Sequence, residues 1–205
     1  IADSLAEEGY TAVVPDLFWR IEPGIDITDK TDAEWQRAFS YFKAFNVDKG
    51  VEDIASTIAW VRAQGHSRVG AEGYCLGGLL AFLTATRTDI DATVGYYGVG
   101  IDAYLGEASR AKNPVLLHIA EEDGFVSKDS QAKMKAGLTG SNFQLYWYPG
   151  RDHAFARPFV NSGRLSTPVS YPKSRLSTPD RDSWQGGVAP GSPVLDGAGS
   201  SPVTV

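Results

Sequence analysis

The chain has 205 residues, of which 42% are hydrophobic and 11% aromatic, and its formal charge is -6 at pH 7. This composition is typical of one globular domain with its own core. The acidic balance without any basic block excludes a nucleic-acid partner, and no apolar run is long enough to predict a membrane span. The single cysteine excludes an internal disulfide and a thiolate-rich metal site, and it favours a reducing cytoplasm.

The chain opens with a predicted helix and strand. Residues 1–8 have helical spacing and are followed by Gly9, a common stop signal. Because the chain starts inside this helix, at Ile1 and not at a methionine, we expect a truncated beginning. Residues 10–14 form an apolar run that is typical of a parallel strand buried on both faces.

Two amphipathic helices follow. Thr31 and Glu34 predict a capping box at the start of the first, and the second ends near Gly65. Their predicted apolar stripes are Trp35, Ala38, Phe39 and Phe42 in the first helix and Val51, Ile54, Ala55, Ile58 and Ala59 in the second.

From residue 69 to residue 148 the pattern alternates between strands and helices. The predicted strands are residues 69–74, 92–97, 114–119 and 143–148, and the predicted helices are residues 78–86 and 131–138. This alternation predicts an α/β fold with a mostly parallel sheet and helices on both faces. Ligands of such sheets bind beyond the carboxyl ends of the strands.

A candidate nucleophile lies at the first of these strand ends. Residues 73–77 read GYCLG, the spacing of a nucleophile elbow with Cys75 at its centre. A strained backbone would expose the thiol, and small neighbours at Gly73 and Gly77 would avoid collisions between the strand and the next helix. The alternative is a glycine-rich turn with a buried structural thiol.

A catalytic thiol needs a base, and the chain offers three histidines. His66 lies in a polar turn and is typical of a solvated surface residue, whereas His118 lies inside an apolar strand and indicates a satisfied core histidine. His153 follows the last predicted strand, so it is the candidate base.

A histidine base needs an acceptor, and three carboxylates follow the strand that ends near residue 119. Asp123 is the candidate because an apolar run directly behind it would fix its direction. Glu121 and Glu122 have the alternative interpretation of solvated surface charges. The chain order of nucleophile, acid and base is that of the α/β-hydrolase fold.

The residues around these positions resemble the dienelactone hydrolase (carboxymethylenebutenolidase) family over about residues 1–157. The segments that carry the resemblance are residues 15–20 (PDLFWR), 45–48 (FNVD), 73–78 (GYCLGG), 94–100 (VGYYGVG), 123–126 (DGFV) and 153–157 (HAFAR). The resemblance implies an α/β-hydrolase fold and hydrolysis of the enol-lactone ring of dienelactone (4-carboxymethylenebut-2-en-4-olide) to maleylacetate.

The resemblance also implies roles for individual residues. It places the triad on Cys75, Asp123 and His153, and it assigns Arg20 and Arg157 to the carboxylate of a small anionic lactone. An arginine fork suits a carboxylate because it can donate two parallel hydrogen bonds. No metal or organic cofactor is implied, and we expect a monomer.

Two parts of the family pattern have no counterpart in this sequence. The family begins with further strands that supply a glutamate near the thiol and one oxyanion N–H, so only the Leu76 N–H is expected from this chain. The family's final helix is also missing. Residues 158–205 are instead rich in proline, serine and glycine, and they predict a disordered or irregular tail after a hydrolase domain at residues 1–157.

Three other functions remain open from the sequence. A broader carboxylesterase or lactonase of the same fold would differ only in its pocket, although two arginines favour a small anionic substrate. A catalytically impaired fragment is favoured by both chain ends. A redox-sensing thiol is disfavoured because the chain has no second cysteine to resolve it.

Overall fold

A computed structural model describes residues 1–28, 30–156 and, as backbone, 203–204. The helices are α1 (Ala2–Glu7), α2 (Asp32–Ala44), α3 (Val47–Ala63), α4 (Leu76–Arg87), a 3-10 helix (Ile101–Arg110) and α5 (Lys128–Gly137). The strands are β1 (Thr11–Ala12), β2 (Val69–Tyr74), β3 (Ala92–Tyr96), β4 (Val115–Ala120), β5 (Phe143–Tyr148) and β6 (Val203–Thr204).

The six strands form one sheet in the order β1-β6-β2-β3-β4-β5, and every pairing is parallel. The predicted parallel α/β architecture is therefore confirmed. Because the strands run in one direction, their carboxyl ends share one edge of the sheet. Cys75, Asp123 and His153 all follow strands at that edge.

Helix α4 packs on the middle of the sheet through close backbone contact. A Cβ added at Gly78 would lie 2.7 Å from the Tyr96 carbonyl oxygen, and one at Gly95 would lie 3.0 Å from the Gly78 carbonyl oxygen. Larger residues at either position would push the helix away from β3. The helix also carries the centre of the core, including the fully buried Phe82 and Leu83.

The far end of α4 is held by an arginine. Arg87 donates two hydrogen bonds to Glu107 of the 3-10 helix, at 2.8 and 2.7 Å, and a third to Asp48 of α3 at 2.7 Å. These partners raise the pKa of Arg87, and the hydrogen bond to Glu107 contributes most to the increase. A cation in the last turn also matches the helix dipole. Helix α4 is thus fixed at its start by the close contact of Gly78 with β3 and at its end by Arg87.

Four paired residues on neighbouring strands form a row of stacked aromatic rings across the sheet. Tyr74 of β2 stacks on Tyr96 of β3 with ring centroids 4.8 Å apart, and Tyr96 stacks on His118 of β4 at 4.3 Å. The row ends with Tyr146 of β5, 5.7 Å from His118. These residues are direct register partners, so the row fixes four strands relative to one another just before the carboxyl edge.

The beginning of the sheet differs from the prediction. The strand predicted at residues 10–14 shortens to the two residues of β1, and Val14 is 77% exposed, so it is not buried on both faces. The physical reason is that β1 pairs only with the two residues of β6. Beyond that pairing a cavity separates β1 from β2.

The two predicted amphipathic helices differ in outcome. The capping box between Thr31 and Glu34 is confirmed, but the stripe of α2 stays about 40% exposed at Trp35, Phe39 and Phe42. The stripe of α3 packs into the core through Val51, Ile54 and Ile58, whereas Ala59 is exposed. Amphipathic spacing therefore predicted both helices, and burial depended on which partner each helix found.

Part of the predicted tail belongs to the sheet. We predicted an irregular segment over residues 158–205, but Val203 and Thr204 form β6 between β1 and β2. β-branched residues favour extended backbone, and the two flanking strands supply its hydrogen-bond partners. The rest of the predicted tail, residues 158–202 and 205, lies outside the described residues.

Candidate active site

Cys75 lies at a strained turn between β2 and α4. Its backbone adopts φ 58° and ψ -114°, in the left-handed half of the map that non-glycine residues rarely occupy. Hydrogen bonds hold this conformation: the Cys75 N–H donates to Tyr96 at 3.0 Å, and its carbonyl accepts from Gly78 at 3.0 Å and Val99 at 3.3 Å. The thiol is partly exposed.

The glycines around the elbow have unequal roles. A Cβ at Gly73 would lie 1.9 Å from the Gly77 carbonyl oxygen, so only glycine fits there, as the spacing predicted. A Cβ at Gly77 would meet no atom within 4 Å, so the prediction that a larger residue would collide there is wrong. Gly78, one residue later, is the position that packs against β3.

Leu76 is the first residue of α4. The N–H groups in the first turn of a helix have no acceptor within the helix, and they lie at the positive end of its dipole. The Leu76 N–H is therefore suited to bind a negative oxygen beside Cys75.

His153 and Asp123 form a close pair at the same edge. The imidazole Nδ1 lies 2.9 Å from Oδ2 and 3.0 Å from Oδ1 of Asp123. The Asp123 side chain is 1% exposed and that of His153 is 12% exposed. Asp123 also accepts a hydrogen bond from the Phe125 N–H at 2.8 Å, which fixes the carboxylate.

His153 also interacts electrostatically with Cys75. Burial alone would lower the pKa of His153, but hydrogen bonds with Cys75 and Asp123 and the charges of both outweigh it, so the pKa is raised. With Nδ1 on Asp123, the remaining ring nitrogen Nε2 is the one suited to Cys75. The structure therefore brings Cys75, His153 and Asp123 to the same edge of the sheet, with a direct hydrogen bond between His153 and Asp123.

Two aromatic rings hold the imidazole and were not singled out by the sequence analysis. Tyr97 meets His153 edge-on at 4.9 Å, and Phe125 lies at 4.7 Å. Tyr97 is buried and adopts a positive φ of 38°, which no sequence pattern indicated. Phe125 had a signal, because it belongs to the apolar run directly behind Asp123.

The other histidine and carboxylate candidates lie elsewhere. His118 is a buried core histidine, as predicted, and its Nδ1 lies 2.8 Å from the Tyr148 hydroxyl. Burial lowers the pKa of His118 to about 4, so its ring is neutral at pH 7. Glu122 forms a surface ion pair with Lys128 at 3.0 Å, which agrees with its interpretation as a solvated charge.

Arg20 contacts protein groups. Its guanidinium forms an ion pair with Asp53 of α3 and lies 4.5 Å over the Trp19 ring. The Trp19 indole N–H donates to the same carboxylate at 3.2 Å. A substrate carboxylate at Arg20 would therefore compete with Asp53. Arg157 lies outside the described residues.

A cavity of about 260 Å³ reaches the elbow from the side of β1. Tyr74 and Gly77, the neighbours of Cys75 in the elbow, line it together with Val13, Leu80 and apolar groups of α1. Cys75, His153 and Asp123 are not among its lining residues. We therefore interpret it as the gap between β1 and β2 and not as the substrate site.

Within the described part of the chain, no helix is both long and apolar enough to cross a membrane. No group of three or more His, Cys, Asp or Glu side chains suited to a metal ion occurs among those residues either.

Comparison with known proteins identifies a family whose sequences this chain matches. Residues 1–179 match the dienelactone hydrolase family, so the match continues beyond the limit of the resemblance near residue 157. A carboxymethylenebutenolidase from Pseudomonas putida is 39% identical over 175 residues, which are 83% of this chain and 73% of that protein. A protein from Azospirillum brasilense, provisionally named carboxymethylenebutenolidase, is 45% identical over 161 residues, 77% of this chain and 69% of that protein.

A solved structure supports the fold. The crystal structure of a protein from Klebsiella pneumoniae, provisionally named dienelactone hydrolase, matches with a TM-score of 0.61 at 23% identity. The match covers 74% of this chain and 67% of that one. The implied α/β-hydrolase fold is thereby confirmed.

Proposed function

Because this chain belongs to the dienelactone hydrolase family, we propose that it is a hydrolase that opens the enol-lactone ring of dienelactone to maleylacetate. The observation that carries the proposal is the hydrogen bond between His153 and Asp123 at the carboxyl edge of the sheet, the edge where Cys75 also lies. The acyl-transfer chemistry needs a nucleophile, a base and an acceptor for the base, in that order.

In the proposed first step the Cys75 thiolate attacks the lactone carbonyl carbon. His153 holds the thiol proton, and Asp123 stabilises the resulting imidazolium. The Leu76 N–H donates to the negative oxygen of the tetrahedral intermediate. The ring C–O bond then breaks, and the electron pair leaves with the enol oxygen, which needs little acid assistance because an enolate is a good leaving group. The imidazolium of His153 gives its proton to the enolate, so the imidazole is neutral before the second step.

In the second step a water molecule hydrolyses the thioester. His153 takes a proton from the water, the oxygen attacks the acyl carbon, and the thiolate leaves. The product is a free carboxylate, and the released enol tautomerises to the ketone of maleylacetate. The nucleophile and base are thereby returned to their starting states.

The substrate carboxylate needs a cation, and we assign this role to Arg20 and Arg157. Arg20 is 39% exposed and carries a guanidinium that already binds one carboxylate, that of Asp53. Exchange of Asp53 for the substrate would keep one charge-assisted pair at Arg20. We also place the enzyme in the cytoplasm, because a reducing compartment suits a thiol nucleophile that must stay reduced. We propose that it acts as a monomer.

The test compares wild type with Cys75→Ala and Cys75→Ser. Loss of the conjugated lactone absorbance should report turnover by wild type, and a neutral aryl ester measures broader esterase activity. We expect the alanine variant to lose at least about 10⁴-fold in kcat while its unfolding midpoint stays near wild type. Substantial turnover by Cys75→Ala would exclude Cys75 as the nucleophile, and esterase activity without lactone hydrolysis would reassign the substrate.

A further inference from the structure

The loops that carry the base and the acid are connected to each other as well as to the sheet. The ladder between β4 and β5 continues past both strand ends, because the Glu121 N–H donates to Tyr148 at 3.2 Å and the Glu122 N–H donates to Arg151 at 2.8 Å. Within the described residues of the two loops, no backbone hydrogen bond joins them after this point. The next connection is made by a side chain.

That side chain is Asp152, directly before His153. One atom, its Oδ1, accepts the His153 N–H at 2.6 Å and the Gly124 N–H at 3.1 Å. Gly124 directly follows Asp123. A single carboxylate oxygen therefore joins the backbone at the base to the backbone at the acid.

Asp152 makes no hydrogen bond to the imidazole of His153 in this geometry. The His153 ring bonds to Asp123, whereas Asp152 reaches only backbone N–H groups in its hydrogen bonds to these two loops. Those bonds, to His153 first and Gly124 second, hold the pKa of Asp152 below its ordinary value. The carboxylate is charged at pH 7, and a hydrogen bond to a charged acceptor is stronger than a neutral one.

The loop needs such a support because it turns sharply. Gly150 has a φ of 68° and Ala154 a φ of 60°, so left-handed residues lie on both sides of His153. For Ala154 that conformation is strained. Without a fixed anchor, the loop would relax and move the imidazole relative to Asp123 and Cys75.

We propose that Asp152 is a positioning residue that fixes the distance between His153 and Asp123 by bridging their loops. The inference rests on the proposed function, because it assigns His153 and Asp123 their roles as base and acceptor. Asp152 acts through the backbone and contacts neither substrate nor reacting atoms. Misplacement of a catalytic group by about 1 Å can cost on the order of 100-fold in rate.

The experiment compares Asp152→Ala, Asp152→Asn and a control, Asp129→Ala, in the full chain. Asp129 is an exposed aspartate of α5 that forms an ion pair with Lys133 at 2.6 Å. The control therefore deletes one carboxylate at a position outside the two loops. We expect Asp152→Ala to lower kcat for dienelactone about 10- to 100-fold with little change in KM. Asp152→Asn keeps an acceptor oxygen at the same place and should recover most of the loss, while Asp129→Ala stays near wild type.

A second measurement does not depend on catalysis. Amide hydrogen exchange at Gly124 and His153 should become at least about 10-fold faster in Asp152→Ala and stay unchanged in Asp129→Ala. Equal kcat in the two alanine variants, an asparagine variant as slow as the alanine variant, or unchanged exchange at both amides would each overturn the bridge. If wild type does not hydrolyse the lactone, the proposed function fails, and the exchange data still decide whether Asp152 joins the loops.

Discussion

The imidazole Nδ1 of His153 lies 2.9 Å from Oδ2 of Asp123, although the two residues come from loops after different strands. The carboxylate is almost fully buried, so little water competes for it. This pairing fixes which ring nitrogen carries the proton and leaves the other for the thiol. It also predicts how activity and stability depend on pH.

Replacement of Asp123 by asparagine should lower kcat by about 10²- to 10⁴-fold, because the base loses the charge that stabilises its protonated form. The pKa of His153 should fall in the variant, since Asp123 is one of the groups that raise it above 6.5. Proton NMR titration of the His153 ring measures this change directly. An unchanged titration would mean that Asp123 does not set the protonation of His153.

The same pairing has a stability consequence with a defined sign. A histidine whose pKa is raised on folding stabilises the native state fully below its unfolded value of 6.5, and this contribution is lost as the pH rises through the raised folded value. Wild type should therefore lose stability relative to Asp123→Asn as the pH rises above about 6.5. Urea unfolding of both proteins across this range is the measurement.

The elbow glycines offer a matched pair of substitutions. Gly73→Ala places a Cβ 1.9 Å from the Gly77 carbonyl oxygen, a backbone atom that cannot rotate away, whereas the Cβ of Gly77→Ala meets no atom within 4 Å. We expect Gly73→Ala to destabilise the fold by about 1–3 kcal/mol or more. Gly77→Ala should be neutral or stabilising by up to about 1 kcal/mol, since alanine favours a helix. Similar unfolding midpoints for both variants would contradict the close approach at Gly73.

The parts of the site that the sequence predicted are those fixed by local chemistry. The elbow at Cys75 follows from spacing, because a strand that turns at once into a helix leaves no room beside Gly73. His153 and Asp123 follow from their place after strands, since parallel strands end at one edge. The core interpretation of His118 followed from the apolar strand around it.

The parts that the sequence missed depend on neighbours distant in the chain. Whether a Cβ fits at Gly77 or Gly78 is decided by the approach of β3 to α4, which the spacing does not contain. The length of β1 depends on β6, from the opposite end of the chain. The ring contacts of Tyr97 with His153 likewise join residues that only the sheet brings together.

Arg20 allows a test of substrate charge. Arg20→Ala should raise KM for the anionic lactone about 10-fold or more, because a charge-assisted hydrogen bond contributes roughly 1.5–3 kcal/mol. The neutral aryl ester should be affected far less. Lys49→Ala is the control, since Lys49 and Arg20 both line a cavity of about 210 Å³ and Lys49 forms an ion pair with Glu52. Equal losses on both substrates would show that Arg20 is structural and that it serves only its protein partners, Asp53 and Trp19.

The buried histidine of the aromatic row predicts an acid limit to stability. Burial lowers the pKa of His118 from 6.5 to about 4, so the unfolded chain binds a proton between these values that the native state rejects. This difference of about 2.5 pKa units predicts that about 3 kcal/mol of stability, present above pH 6.5, is lost as the pH falls to 4.

His118→Phe keeps a ring between Tyr96 and Tyr146 but removes the titration. Loss of the hydrogen bond to Tyr148 costs stability at every pH, so it shifts the whole curve without changing its slope. Chemical unfolding from pH 7 to pH 4 should therefore show that the free energy of unfolding depends less on pH in the variant. The difference in this free energy between wild type and the variant should narrow by about 3 kcal/mol over the range. Parallel curves would mean that His118 accepts a proton in the folded sheet, which the stacked rings on both sides of it oppose.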